Sequence, residues 1–206
     1  VAPMTAEWMA SSGDKRVKLG GDDLANFKKM RTNSIENAKP VSSIKFPVVI
    51  FVPGQGTPVW QYTTLIEDLA SHGYIVIGTT HVRFPPTDEE MAYTFKTTRD
   101  KEENERSHRR WEADVSFVLH NFPSNHLLSK QMDWQQTSVI GHSYGGDTAI
   151  FVCSRDSKCK CAIDIDGHFN MVDFPRNITS PSLILIARPK GQEIDDPKDR
   201  RIRKFF

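Results

Sequence analysis

Long hydrophobic runs are missing from this 206-residue sequence. The longest apolar run, 46–52, has the length of a β-strand, whereas a bilayer-spanning helix needs roughly 20 apolar residues. Hydrophobic residues make up 38% and charged residues 26% of the chain, a balance typical of globular proteins rather than of disordered ones. A length of 206 residues suits one domain with a sizeable core, and we expect residues 1–206 to form a single domain.

Neither sign of charge is in excess. The chain has 27 Lys and Arg residues against 26 Asp and Glu residues, which gives a formal net charge of +1. A nucleic-acid-binding domain normally shows a strong basic surplus, so we expect no nucleic-acid partner.

Cysteine is also scarce, with Cys153, Cys159 and Cys161 as the only examples. Three cysteines are too few for a disulfide framework, and no Cys/His spacing matches a zinc site, so we predict no metal. One pair could form a bridge in an oxidising compartment, and three unpaired thiols fit the sequence equally well.

The chain starts with Val1 rather than Met, so either a leader has been removed or the protein begins earlier. The compartment stays open, with a lean towards a secreted or periplasmic protein.

Short apolar runs alternate with amphipathic stretches along the chain. Residues 1–42 are polar and we expect them to be irregular. Strands are expected at 45–52, 74–78, 137–140, 161–165 and 182–187, and helices at 62–72, 100–121 and 147–153. Strands that alternate with helices predict an α/β fold: a mainly parallel sheet with helices on both faces.

The segment Gly141-His142-Ser143-Tyr144-Gly145-Gly146 carries the strongest functional signal. It lies between a predicted strand and a predicted helix, the context of a G-x-S-x-G nucleophile elbow. Ser143 is the candidate nucleophile, and Gly141 and Gly145 lack the Cβ that would keep strand and helix apart. The alternative is a chance turn, because the motif alone is common.

Two backbone amides are candidates for an oxyanion hole. One is that of Tyr144, the residue after the nucleophile, and the other belongs to the loop after an earlier strand. The loop Gly54-Gln55-Gly56 follows the first clear strand, so Gln55 is the second candidate donor, with Gly54, Gly56 and His142 in support. The alternative for this loop is an ordinary turn.

The candidate acid is Asp166, which ends the fourth predicted strand; we favour it over Asp164 because a carboxylate at the strand's end can turn towards the site. A plain strand-terminating Asp is the alternative.

The general base is harder to place. His168 is the only histidine after Asp166 and would need an unusual loop, so it is the less favoured candidate. His81 either lines the pocket or lies in an exposed loop. We expect the catalytic histidine, with a last strand and helix, to lie beyond Phe206.

Several segments resemble the platelet-activating-factor acetylhydrolases of the plasma and intracellular type II kind, members of the α/β-hydrolase superfamily close to dienelactone-hydrolase-like enzymes. The similarity covers about residues 40–190. It is carried by the Val-Pro-Gly-Gln-Gly loop, by Ala-Ser-His-Gly-Tyr at 70–74, by Trp-Glu-Ala-Asp-Val at 111–115, by the elbow and by the strand ending at Asp166. The resemblance implies Ser143 as nucleophile, Asp166 as acid, and Gln55 and Tyr144 as oxyanion donors. Pro53 departs from the family, which more often has His before this Gly.

The same resemblance implies a calcium-independent serine esterase that needs no cofactor and removes short acyl chains, such as the acetyl group of platelet-activating factor. The implied partners are a lipid or small ester substrate and a peripheral membrane or lipoprotein surface. A polyester- or cutin-type hydrolase would share the elbow. A catalytically inactive binding protein on a hydrolase scaffold is the remaining alternative, and the absent base supports it.

Overall fold

The computed structural model describes residues 18, 20–41, 44–81, 101–167 and 178–187, and within these ranges the chain forms a β-sheet flanked by helices. The strands are β1 (Phe46–Val52), β2 (Ile75–Gly78), β3 (Met132–His142), β4 (Cys159–Ile165) and β5 (Ser182–Leu185). The α-helices are α1 (Gly21–Lys29), α2 (Thr63–Ser71), α3 (Lys101–Asn121) and α4 (Tyr144–Arg155), and short 3-10 turns span Val59–Tyr62 and Ser129–Gln131.

The order of the strands places a topological switch point between β1 and β3. The strands lie in the order β2-β1-β3-β4-β5, and every neighbouring pair is parallel. The chain therefore leaves β1 in one direction to form β2 and returns on its other side to form β3. Ligands of open α/β sheets bind at such a switch point, outside the carboxyl ends of the strands. The parallel sheet expected from the alternating pattern is confirmed.

Both faces of the sheet are covered, as expected. On one face, Val48, Ile50 and Val52 of β1 pack in a cluster with residues of α3 and α4. On the other face, Val49 and Phe51 pack with Leu65, Ile66 and Leu69 of α2. Alternate side chains of a strand point to opposite faces, so a continuous apolar run such as β1 is needed where both faces are buried.

The N-terminal segment differs from the prediction. Residues 1–42 were expected to be irregular, but α1 forms within them. Its helical signal is electrostatic rather than apolar: Asp22 and Asp23 lie in the first turn, and Lys28 and Lys29 in the last. Charges in these positions offset the helix dipole, and none of the α1 residues is buried. A prediction based on apolar periodicity misses such a helix.

Several element boundaries also differ from the prediction, most of them by one or two residues and that of β3 by more. β3 begins at Met132, five residues before the predicted start at 137. Met132 and Asp133 pair with Phe46 and Pro47 before an irregularity in the register, and the polar residues that follow conceal this part of the strand from the sequence pattern. The helix expected to contain residues 147–153 is confirmed as α4, which spans Tyr144–Arg155 and holds the elbow glycines in its first turn.

A disulfide links Cys153, near the end of α4, to Cys159, the first residue of β4, and Cys161 is the free thiol. Of the two possibilities left open by the sequence, the structure therefore shows the single bridge. None of the described helices is long and apolar enough to cross a membrane.

Candidate active site

Ser143 adopts a strained backbone conformation between β3 and α4. Its φ of 54° and ψ of −120° lie outside the regions that a residue with a Cβ normally adopts. Such a conformation costs on the order of 1–3 kcal/mol and persists only where the surrounding structure imposes it. The side chain is partly exposed, at the carboxyl end of the sheet. The strand, the sharp turn and the helix predicted for the elbow are all present.

The glycines of the elbow allow close backbone contacts. A Cβ on Gly141 would collide with the carbonyl group of Gly145. A Cβ on Gly145 would collide with the carbonyl oxygens of Val52 and Pro53, at the end of β1. The start of α4 is therefore packed directly against the backbone that leads into the 54–56 loop, and no larger residue fits in either place.

Asp166 lies beside the elbow through backbone hydrogen bonds. The Ser143 N–H donates to the carbonyl oxygen of Ile165 at 2.7 Å, so Ser143 is tied to the residue that precedes Asp166. The Asp166 N–H donates to Leu185 O at 2.7 Å, and its Oδ1 accepts the Ala187 N–H at 3.2 Å. Asp166 has a φ of 58°, which turns the chain at the end of β4.

Asp164, the alternative acid, has a different environment. It is fully buried, and its Oδ1 accepts the Gly167 N–H at 2.7 Å. Its carboxylate lies against Gly146 in the first turn of α4, where a Cβ would collide with it. A carboxylate enclosed in this way is suited to packing the helix start against β4, whereas Asp166 is partly exposed at the strand's end. These surroundings favour Asp166 as the acid.

The 54–57 loop forms a turn next to the elbow. The Thr57 N–H donates to Gly54 O at 3.0 Å, and Gly56 has a φ of 71°, a value typical of the third position of a type II turn. Gln55 occupies the second position and is partly exposed. Because Val52 pairs with Gly141, the turn and the elbow leave neighbouring strands at the same level.

Tyr62 connects the 54–57 turn to the elbow. The sequence places this residue only at the start of a predicted helix. The Tyr62 hydroxyl accepts the Gly54 N–H at 3.1 Å and lies 2.8 Å from His142 Nδ1. Burial is the main cause that raises the pKa of Tyr62, while hydrogen bonds from Gly54 and Thr57 oppose the rise. No spacing or motif in the sequence distinguishes Tyr62 from an ordinary core aromatic.

The Tyr144 ring packs beneath α3. It stacks on His108 with ring centroids 3.5 Å apart, meets Trp111 edge-on at 4.8 Å, and its hydroxyl donates to Asn104 O at 2.9 Å. Burial raises the pKa of Tyr144 and lowers the pKa of His108 to about 3. Only the backbone N–H of Tyr144, in the first turn of α4, is left as a candidate donor, because helix-start amides lack partners within the helix.

The structure corrects the expectation for His81. Its side chain is only 1% exposed, so it neither lines an open pocket nor lies in an exposed loop. Nδ1 lies 2.9 Å from Asp114 Oδ2, Nε2 lies 3.1 Å from Thr79 Oγ1, and the ring stacks on Trp111. Both ring nitrogens are thus engaged within the fold. The candidate base His168 lies outside the described residues.

Within the described ranges, no group of three or more His, Cys, Asp or Glu side chains is arranged to hold a metal ion. The structure does bring together one hydroxyl, one partly exposed carboxylate and two loop or helix-start amides, those of Ser143, Asp166, Gln55 and Tyr144.

Three kinds of comparison relate the chain to known proteins. The family model described as Chlorophyllase matches residues 11–167. Platelet-activating factor acetylhydrolase of Bos taurus is 28% identical over 174 residues, covering 68% of this chain and 39% of the relative, and that of Cavia porcellus is 28% identical over 199 residues, covering 79% and 44%. The chain thus spans about two fifths of the length of these relatives. A ferulic acid esterase from Streptomyces cinnamoneus superposes with a TM-score of 0.76 at 28% identity, covering all of this chain and 57% of that one.

Proposed function

The chain belongs to the chlorophyllase family and has the α/β-hydrolase fold, and we propose that it is a serine esterase that hydrolyses short-acyl carboxylic esters.

One observation carries the proposal: Ser143 has a positive φ at a strand-to-helix turn, and its own N–H is hydrogen-bonded to the residue that precedes Asp166. The strain needs a reason, since serine offers no conformational advantage over glycine at such a turn. A hydroxyl that must stand clear of the sheet to attack a substrate supplies that reason.

In the proposed mechanism, Ser143 Oγ attacks the ester carbonyl carbon while a histidine, oriented by Asp166, takes the hydroxyl proton. The negative charge that develops on the carbonyl oxygen is stabilised by the amides of Gln55 and Tyr144. The histidine then protonates the leaving alcohol, and an acyl-serine ester remains. Water, activated by the same histidine, releases the acid and regenerates the hydroxyl.

Relatives favour two classes of ester. Similarity to platelet-activating factor acetylhydrolases supports a short acyl group, such as acetyl, on a lipid or small alcohol. Similarity to a ferulic acid esterase over the full chain supports a larger aromatic acid as the second candidate. A series of p-nitrophenyl esters from acetate to octanoate, together with ethyl ferulate, separates the two. We expect the highest kcat/KM for acetate.

Labelling of the intact protein with a fluorophosphonate tests the proposed nucleophile. We expect one covalent adduct, located by peptide mass spectrometry on Ser143 and absent from Ser143→Ala. Ser129→Ala, which changes an exposed hydroxyl bonded to Ser124 O, is the matched control and should label normally. A folded protein that takes up no label would instead favour a non-catalytic binding protein.

A further inference from the structure

We propose that Tyr62 is a positioning residue whose hydroxyl holds the two halves of the oxyanion hole in register. The inference rests on the proposed function, because it assigns Tyr62 a role in that reaction. Tyr62 touches neither the nucleophile nor the proposed donor amides directly. It contacts the residues next to them, one in the loop after β1 and one at the end of β3.

The contacts of Tyr62 join two segments that are far apart in sequence. Its Oη accepts the N–H of Gly54, the residue before Gln55, at 3.1 Å. The same oxygen lies 2.8 Å from Nδ1 of His142, the residue before Ser143. A single hydroxyl therefore links the 54–57 turn to the nucleophile elbow across β1 and β3.

The hydrogen-bonding capacity of the phenol suits a link in which Tyr62 donates to His142. Tyr62 Oη accepts the Gly54 N–H, which occupies one of the lone pairs of the hydroxyl oxygen. In the proposed link, the phenolic proton is donated to His142 Nδ1, 2.8 Å away. His142 then carries its own ring proton on Nε2, so the hydroxyl also sets the tautomer of the histidine beside the nucleophile.

The position of Tyr62 itself is fixed by packing. Its ring lies against Phe51 of β1, with centroids 4.7 Å apart, and against the His142 ring at 5.6 Å. It ends the 3-10 turn Val59–Tyr62 and directly precedes α2. A Cβ on Gly54 would come within 2.9 Å of His142 Nδ1 and 3.3 Å of Tyr62 Oη, so the three groups form a close-packed junction.

The consequence concerns geometry in the transition state. Oxyanion donors act only where they lie about 2.7–3.1 Å from the developing charge, and loss of one donor costs roughly 10²–10³ in kcat. Removing the Tyr62 hydroxyl leaves both amides in the chain but loosens their spacing. We therefore expect a smaller loss, on the order of 10- to 100-fold, confined to kcat because ground-state binding does not use the hole.

The first experiment compares Tyr62→Phe with Tyr74→Phe in the intact protein, using p-nitrophenyl acetate as substrate. Tyr74 is 39% exposed beside the amino end of β2 and serves as the matched control. We expect kcat of Tyr62→Phe to fall 10- to 100-fold with KM within about twofold of wild type, and Tyr74→Phe to match wild type. Equal kcat values for Tyr62→Phe and wild type would overturn the proposal.

The second experiment approaches the link from His142. His142→Leu removes the acceptor of the phenolic proton, whereas the Asn carbonyl of His142→Asn can take the place of Nδ1. We expect His142→Leu to lose kcat as Tyr62→Phe does, His142→Asn to keep more activity, and the double variant Tyr62→Phe/His142→Leu to be no slower than the worse single variant. Additive losses, or an Asn variant as slow as the Leu variant, would contradict the link.

The failure of this inference is distinct from that of the proposed function. If wild type hydrolyses the ester and labels on Ser143 but Tyr62→Phe is unchanged, only the role of Tyr62 is refuted. If wild type neither hydrolyses the ester nor labels, both proposals fall together. A ¹⁵N spectrum of His142 provides a readout independent of activity: we expect the Nε2–H tautomer in wild type and a changed tautomer ratio in Tyr62→Phe.

Discussion

At the scale of single residues, the elbow depends on glycines, because the lack of a Cβ allows close backbone contacts. Ser143 keeps a positive φ because the backbone on either side is locked, by the Ser143–Ile165 hydrogen bond and by the contact of Gly145 with the end of β1. The strain is held by neighbours that leave no space for an alternative conformation. The catalytic geometry proposed for Ser143 therefore depends on small residues that carry no reactive group.

Gly145→Ala tests this dependence. The added methyl would collide with the carbonyl oxygens of Val52 and Pro53, so strand and helix must separate. We expect the free energy of unfolding to fall by about 1–3 kcal/mol, measured by urea denaturation, with a marked loss of esterase activity. Gly20→Ala is the control, because Gly20 has a φ of −144° and open space where its Cβ would be. Equal effects of the two substitutions would show that the close contact is unimportant.

At the scale of elements, α3 supports the elbow from behind. His108 of α3 is 2% exposed, stacks on Tyr144, and its Nδ1 has no hydrogen-bond partner among the described residues. Burial lowers the pKa of His108 to about 3, so the ring is neutral in the folded protein over most of the acidic range. The helix thus contributes a flat, uncharged surface to the Tyr144 ring.

This burial makes stability depend on pH. The folded pKa of His108 lies below the unfolded value of 6.5, so the unfolded state binds a proton first as pH falls. Below pH 6.5, and down to about pH 3, His108 should reduce the free energy of unfolding by up to about 1.4 kcal/mol per pH unit. We expect urea denaturation between pH 7 and 4.5 to show a smaller decrease in the free energy of unfolding for His108→Phe than for wild type. Phe keeps an aromatic ring in the stack but cannot titrate.

His72→Phe is the control for this measurement, because the His72 side chain is 68% exposed. An unchanged pH dependence in His108→Phe, or the same flattening in His72→Phe, would show that the buried imidazole is not the source.

The disulfide joins α4, which directly follows Ser143, to β4, which directly precedes Asp166. Cys153 and Cys159 are six residues apart, so the bridge closes a short loop between α4 and β4. Loop-closure entropy predicts that Cys153→Ser/Cys159→Ser lowers the free energy of unfolding by about 2 kcal/mol. Cys161→Ser, at the free thiol, should change it by less; thermal unfolding of both variants measures the difference. A double variant as stable as wild type would show that the bridge adds nothing.

At the scale of the whole molecule, the centre of the sheet is the most protected region. Residues 48–52 of β1 are at most 2% exposed and lie between β2 and β3, whereas Leu183 and Leu185 of β5 are 50% and 47% exposed. Amide hydrogen exchange should therefore be slowest in β1 and β3 and faster in β5. Uniform protection across the five described strands would contradict this gradient.

The sequence predicts the parts of this architecture that depend on local pattern. Apolar runs identify the strands, and Gly141, Ser143 and Gly145 identify the elbow, because a serine between two such glycines at a strand-to-helix turn is typical of that motif. It does not predict α1, whose helical signal is charge placement rather than apolar periodicity. Nor does it predict the Tyr62 link, which depends on strand order: the residue meets its partner 80 positions away only after β1 and β3 have paired.

The proposed reaction depends most on the two amides meeting an oxyanion formed on Ser143. The most direct measurement is a crystal structure of the intact protein after reaction with a phosphonate ester. We predict a phosphorus–Ser143 Oγ bond, with one phosphonyl oxygen about 2.7–3.1 Å from both the Gln55 and Tyr144 backbone nitrogens. Phosphorus bound to another residue, or a phosphonyl oxygen pointing away from these two amides, would contradict it.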